Sequence, residues 1–143
     1  MRIGEIMTAN PACVTVDTSL HQVAQLMADR DCGIVPVIET LERRKPVGVI
    51  TDRDLALRTI AHNKNPLHMI AGEVMTEMVV TVGADASVDE CVRLMETNRI
   101  RRVFVVDQNG DLEGVVAQAD IARHAPGVAT AGLLKDLSAK AIA

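Results

Sequence analysis

The feature that most constrains this chain is that it is written twice. Displaced by 68 residues, Gly4-Glu5-Ile6-Met7-Thr8 falls on Gly72-Glu73-Val74-Met75-Thr76. At the same offset Ser19 meets Ser87, Leu26-Met27 meets Leu94-Met95, and Val35 and Val37 meet Val103 and Val105. After a loop of different length the offset shortens to 66, where Gly48-Val49-Ile50 meets Gly114-Val115-Val116 and Asp54-Leu55-Ala56 meets Asp120-Ile121-Ala122. A fixed order of coincidences marks a duplicated structural unit of about 60 residues. The division that follows is a first repeat over residues 1–62, a linker over 63–69, a second repeat over 70–125 and a C-terminal extension over 126–143.

Both copies carry the same element signals. A brief β-branched strand comes first, Val14-Thr15-Val16 and Val79 to Val82. Ser19-Leu20-His21-Gln22 and Ser87-Val88-Asp89-Glu90 then fit the capping box that opens a helix. Leu20, Val23, Ala24 and Met27, like Val88, Cys91, Val92 and Met95, recur at the spacing of one helical face. The near-continuous apolar runs Ile34 to Ile38 and Val103 to Val106 read as strands buried on both faces. Strands over Val47 to Ile50 and Gly114 to Val116 follow after turns, and helices over Arg53 to Ala61 and Gln118 to His124 close the units. A further helix is expected over Gly132 to Ile142, with Leu133, Leu134 and Leu137 able to cover a core edge.

The expected fold class is therefore α/β (α+β): two β-α-β-β-α repeats. A unit this small buries too little surface to stand alone, so the repeats should pack as one pseudo-twofold module with a shared core. Two equivalent clefts would result, and ligands belong there.

Composition narrows the chemistry. Trp and Tyr are absent and Phe104 is the single aromatic, although 48% of residues are apolar. Branched aliphatics must fill the core, and the stacking faces that single-stranded nucleic acid requires are missing. A formal charge of −4, with Arg43-Arg44-Lys45 as the longest cationic run, also argues against a nucleic-acid partner. Cys13, Cys32 and Cys91 show no metal spacing, nor do His21, His62, His68 and His124. With no membrane-length apolar stretch and no signal-peptide pattern, the expected compartment is the reducing cytoplasm. No nucleophile elbow, phosphate-binding glycine loop or metal motif appears, so the expected protein is not an enzyme and carries no metal or cofactor.

The opening Met-Thr of each copy, the strand Ile34-Val35-Pro36-Val37-Ile38 and the segment Gly48-Val49-Ile50-Thr51-Asp52-Arg53-Asp54 resemble the cystathionine-β-synthase-type (CBS) domain family. So do Arg101 to Asp107 and Gly114 to Asp120 in the second copy. Within that family the chain is similar to the short stand-alone bacterial pairs. The resemblance implies a regulatory sensor that binds an adenosine-containing ligand (AMP, ADP, ATP, or S-adenosylmethionine) between the repeats, forms homodimers and acts on a protein partner.

Carried onto this sequence, the resemblance puts Asp54 on the ribose hydroxyls, Thr51 on ribose or phosphate, and Val49 against the base. Thr76, Val80 and Ile100 would come from the second repeat, with Arg101 and Arg102 able to reach phosphates of either cleft. The second cleft would use Asp120 and Val115 with Thr8, Cys13 and Cys32 from the first repeat. Ala117 replaces the Thr51 equivalent there, so that cleft is expected to be the weaker. The chemistry suits the residue types: a carboxylate accepts two hydroxyl hydrogen bonds, and Arg grips phosphate through two parallel ones. Thr51 and Asp54 also fit a helix capping pattern on local sequence alone. The alternative to the sensor is a stress-associated interaction scaffold that binds no nucleotide, gated by oxidation of Cys13 and Cys32.

Overall fold

The computed structural model describes residues 1–77 and 79–124. The helix expected over Gly132 to Ile142 lies outside the described residues. In chain order the elements are β1 (Thr8–Ala9), β2 (Val14–Thr15), α1 (Leu20–Arg30), β3 (Ile34–Ile38), β4 (Pro46–Thr51), α2 (Asp52–Leu57), β5 (Thr81–Gly83), α3 (Val88–Asn98), β6 (Arg102–Val106), β7 (Leu112–Ala117) and α4 (Gln118–His124).

The chain divides into two compact units, but not at the junction between the repeats. One unit is Pro11–Val79; the other joins Met1–Asn10 to the chain from Val80 onward. Each copy therefore gives its opening Met-Thr segment to the unit that houses the other copy's sheet.

In the Pro11–Val79 unit the sheet order is β2-β3-β4. β2 runs parallel to β3, with Val14 opposite Val37, and β3 runs antiparallel to β4, with Val35 opposite Ile50. Thr76 adds a single bridge on the free edge of β4, opposite Val49. In the other unit the order is β1-β7-β6-β5. β5 is parallel to β6, β6 antiparallel to β7, and Thr8 of β1 lies opposite Val115 of β7. A one-residue irregularity interrupts both hairpins at matching places, between Val37 and Ile38 and between Val105 and Val106. Such a bulge bends the strand and raises its twist, so its recurrence keeps the two sheets alike.

The helix starts follow the sequence signals in part. Ser19 Oγ accepts the Gln22 amide at 3.2 Å and Ser87 Oγ accepts the Glu90 amide at 3.1 Å. Only that half of each box forms, because among the described residues no bond returns from the Gln22 or Glu90 side chain. The buried stripes are Leu20, Val23 and Met27 on α1, and Val88, Cys91 and Met95 on α3. Ala24, expected within the first stripe, is exposed. α2 stops at Leu57, four residues short of the expected end, and a separate 3-10 turn takes up Ile60–His62.

Within each unit the buried apolar residues form a cluster. Val14, Leu20, Val23, Met27, Val35, Val37 and Ile50 pack with Met69, Ala71 and Val74. Val82, Val88, Cys91, Met95, Val103, Val105, Val116 and Ile121 pack with Ile3 and Ile6. The segment exchanged between the copies supplies the missing apolar surface (Met69, Ala71 and Val74 to one cluster, Ile3 and Ile6 to the other). Each unit closes its own core by this means.

Candidate functional site

β4 runs directly into α2 through Thr51, which is both the last strand residue and the helix N-cap. Thr51 is extended, with φ −106° and ψ 162°, so its side chain stands over the first helical turn. Its Oγ1 accepts the Asp54 amide at 3.1 Å, and Asp54 Oδ2 accepts the Thr51 amide at 2.9 Å. The capping pattern legible in the sequence is thus fully formed. It leaves Asp54 Oδ1 outside the box, 3.5 Å from Arg58 Nε.

Val49, two residues earlier, exchanges two backbone bonds with Thr76, at 3.0 and 2.9 Å. That pairing brings Thr76, from the second copy, onto the strand that carries Val49 and Thr51. Arg58 then reaches across: its Nη2 donates to Thr76 Oγ1 at 3.2 Å, and its Nη1 donates to the carbonyls of Val74 and Met75 at 3.2 and 3.1 Å. Arg58 was not singled out by sequence reasoning. The only signal for it is the four-residue spacing from Asp54, which places the two on one helical face.

The other unit repeats the corner with different polar groups. Asp120 Oδ2 accepts the Ala117 amide at 2.8 Å, as Asp54 does for Thr51. No hydroxyl answers it, because Ala117 stands in the N-cap place. Asp120 is the more enclosed carboxylate, 7% exposed, and Arg123 Nη2 bonds its Oδ1. Val115 faces Thr8 across the β1–β7 pairing.

The structure groups the remaining candidates by unit. Val80, Ile100, Arg101 and Arg102 belong with Asp120, Val115 and Thr8; Cys13 and Cys32 belong with Thr51, Asp54, Val49 and Thr76. Val80 and Ile100 pack on the core cluster of their unit. The Arg101 carbonyl accepts the Gln118 amide at 2.8 Å, and Arg102 lies opposite Ala117. The arginine pair therefore flanks the Asp120 corner directly, a placement the sequence had left open between the two clefts.

Cys13 immediately precedes β2, while Cys32 lies between α1 and β3 and bonds its amide to the Met27 carbonyl at 3.0 Å. All three cysteines are free thiols. Burial pushes the Cys91 thiol up to about 11, and the neighbouring Glu90 carboxylate adds to the effect.

Among the described residues no cluster of His, Cys, Asp and Glu could hold a metal ion, and no helix is long and apolar enough to cross a membrane. An open depression lined by Gly83, Asp85, Asp107 and Glu113 lies at the far end of β6 from Arg102. Its carboxylates make it unsuited to a phosphate-bearing ligand.

Comparison with known proteins places this geometry. The family model described as "CBS domain" matches residues 3–59 and 71–127. Hypoxic response protein 1 of Mycobacterium tuberculosis is 36% identical over 122 residues, covering 85% of this chain and 83% of that protein. An uncharacterized protein of Methanopyrus kandleri, MK0525, is 35% identical over 124 residues; the match covers 87% of this chain but 62% of that longer relative.

Among solved structures, Hypoxic Response Protein I with two coordinated zinc ions aligns at a TM-score of 0.78 with 33% identity, covering 88% of this chain and 100% of that one. The CBS domain pair of protein MJ0100, in complex with 5-methylthioadenosine and S-adenosyl-L-methionine, aligns at 0.74 with 28% identity over 86% of this chain and 94% of that one. CBSX2 in complex with AMP aligns at 0.71 with 26% identity over 87% and 95%; CBSX2 is from Arabidopsis thaliana. The duplicated corner, the exchanged Met-Thr segments and these matches lead to one conclusion: the chain belongs to the CBS domain family and carries two CBS domains in tandem.

Proposed function

We propose that this chain is a regulatory module that binds an adenosine-containing ligand and performs no chemistry on it. The observation that carries the reading is the Thr51–Asp54 corner with Thr76 bridged alongside. The Thr51 hydroxyl and the Asp54 carboxylate cap one another there, and Arg58 contacts both that carboxylate and the Thr76 hydroxyl. An ionised Asp54 can accept two hydrogen bonds from the vicinal hydroxyls of a ribose, which no purely apolar pocket could distinguish. The MJ0100 pair and CBSX2 hold adenosine compounds, and both share this fold.

AMP, ADP, ATP and S-adenosylmethionine are the ligands proposed, with Val49 against the base and Thr51 toward ribose or phosphate. Arg101 and Arg102 flank the second corner and would draw the phosphates of a ligand bound there. That corner, built on Asp120, Val115 and Thr8, lacks the Thr51 hydroxyl and is the weaker ribose site. The module would act in the cytoplasm as a homodimer and report energy status to a protein partner. The ligand can shift that partner's contacts only by binding one arrangement of the chain better than another.

A thermal-shift series tests the proposal. A ligand at about 100 times its Kd stabilises the native state by about 2.7 kcal/mol, a shift of several degrees for a chain of this size. A rise with AMP, ADP, ATP or S-adenosylmethionine that is lost in Asp54→Asn supports it. No rise with any of the four overturns it.

A further inference from the structure

The Arg58 guanidinium stands between the two segments that furnish the first corner. On one side its Nε lies 3.5 Å from Asp54 Oδ1. On the other its two terminal nitrogens bind the Val74 and Met75 carbonyls and the Thr76 hydroxyl, at 3.2, 3.1 and 3.2 Å. Those carbonyls follow the 3-10 turn Ala71–Glu73, where the turn leaves acceptors without partners of its own. A planar fork of fixed donors suits this task, and a single ammonium would not span it.

We infer that Arg58 is a positioning residue that locks the Asp54 carboxylate and the Thr76 hydroxyl into one fixed relation, and so sets ribose discrimination at the first corner. The inference rests on the reading of that corner as an adenosine site. Two consequences follow from the hydrogen-bond roles. Asp54 Oδ2 is committed to the Thr51 amide, so Oδ1 is the oxygen freer to meet a ribose, and Arg58 fixes its direction. Thr76 Oγ1 already accepts from Arg58, so its own proton is directed elsewhere and the hydroxyl is set to act as a donor. Binding at Asp54 is thereby tied mechanically to Val74–Thr76, the segment that also closes the core of the unit.

At the second corner a different residue stands in the place of Arg58. Aligned with Arg58 is His124, whose Nδ1 lies 3.0 Å from the Asp120 carbonyl oxygen. Arg123 holds the Asp120 carboxylate, but its side chain is 67% exposed. Among the described residues neither one reaches Met7 or Thr8. The two copies thus share a carboxylate and differ in the residue that follows it by four, arginine in one and histidine in the other.

The test measures AMP and 2′-deoxy-AMP binding by calorimetry to wild type, Arg58→Gln, Arg58→Lys and Asp54→Asn, beside amide hydrogen exchange of the unliganded proteins. Positioning predicts that Arg58→Gln weakens AMP about tenfold and brings its affinity toward that of 2′-deoxy-AMP, as Asp54→Asn does, with Arg58→Lys between. The Thr51 amide, held by the carboxylate, should exchange faster in Arg58→Gln. Equal weakening of both ligands, with the AMP preference intact, would reduce Arg58 to a structural staple and overturn the inference. If the wild type binds neither probe, the adenosine reading fails by itself. The Thr51 amide then decides the positioning claim: unchanged exchange in Arg58→Gln overturns it.

Discussion

Thr51 and Asp54 cap one another, the hydroxyl taking the Asp54 amide at 3.1 Å and the carboxylate taking the Thr51 amide at 2.9 Å. The residue proposed to hold the ribose is therefore also part of the helix start. Asp54→Ala should lower stability by about 1–2 kcal/mol, as the loss of a capping group does. Asp54→Asn keeps an acceptor oxygen and should cost under about half of that. Urea denaturation of both variants checks the difference. Equal stabilities would mean that the box contributes nothing.

The second corner offers the reverse experiment. Ala117 occupies the N-cap position of α4, with its amide already on Asp120 Oδ2 at 2.8 Å. Ala117→Thr would place a hydroxyl where Thr51 has one, able to accept the Asp120 amide. A gain of about 0.5–1 kcal/mol in unfolding free energy is expected. Denaturant melts of wild type and variant measure it, and a loss would show that the two corners differ in more than one side chain.

Gly48 lies where the exchanged segment packs tightly against the sheet. A Cβ there would lie 2.6 Å from Met75 Sδ and 2.9 Å from the Thr76 carbonyl oxygen. The thioether can swing away, but the carbonyl is fixed by its bond to Val49. Gly48→Ala should therefore destabilise by about 1–3 kcal/mol, the usual cost of overpacking. Gly83→Ala meets nothing within 4 Å and serves as the control. Similar melting temperatures for the two variants would refute the close packing.

Cys91 should be silent toward thiol reagents at neutral pH, since the thiolate is the reactive form and burial holds this thiol at about 11. Cys13 and Cys32 are partly exposed and should react in the folded protein, Cys91 only on unfolding. The sign of the pH effect follows. Above about pH 8.5 the unfolded chain loses the Cys91 proton while the folded chain keeps it. The unfolded state then binds fewer protons, so this group's contribution to stability falls as pH rises toward 11. Denaturation between pH 8 and 10 in wild type and Cys91→Ala checks it. The difference between the two should shrink with rising pH.

Much of this fold was legible in residues that appear twice. Ser19 and Ser87 fixed the helix starts, and the apolar runs at Ile34 and Val103 fixed the central strands, because caps and periodicity are local signals. The partner of Thr76 was not legible as a strand pairing, since a single bridge to Val49 has no period. Only the resemblance set Thr8 beside Val115, because nothing in a local pattern says which edge a two-residue strand will join. At the site, Thr51 and Asp54 stood out through spacing and resemblance. Arg58 did not, because its bonds to Val74, Met75 and Thr76 depend on where the chain returns 16 to 18 residues later.

The central claim is that the Asp54 corner binds an adenosine-containing ligand. Calorimetric titration of nucleotide-free protein with AMP, ADP, ATP and S-adenosylmethionine, beside Asp54→Asn and Asp120→Asn, tests it most directly. The account predicts saturable binding of at least one of these ligands, abolished by Asp54→Asn and reduced far less by Asp120→Asn. Absence of heat from all four ligands, or binding that survives Asp54→Asn unchanged, would contradict it.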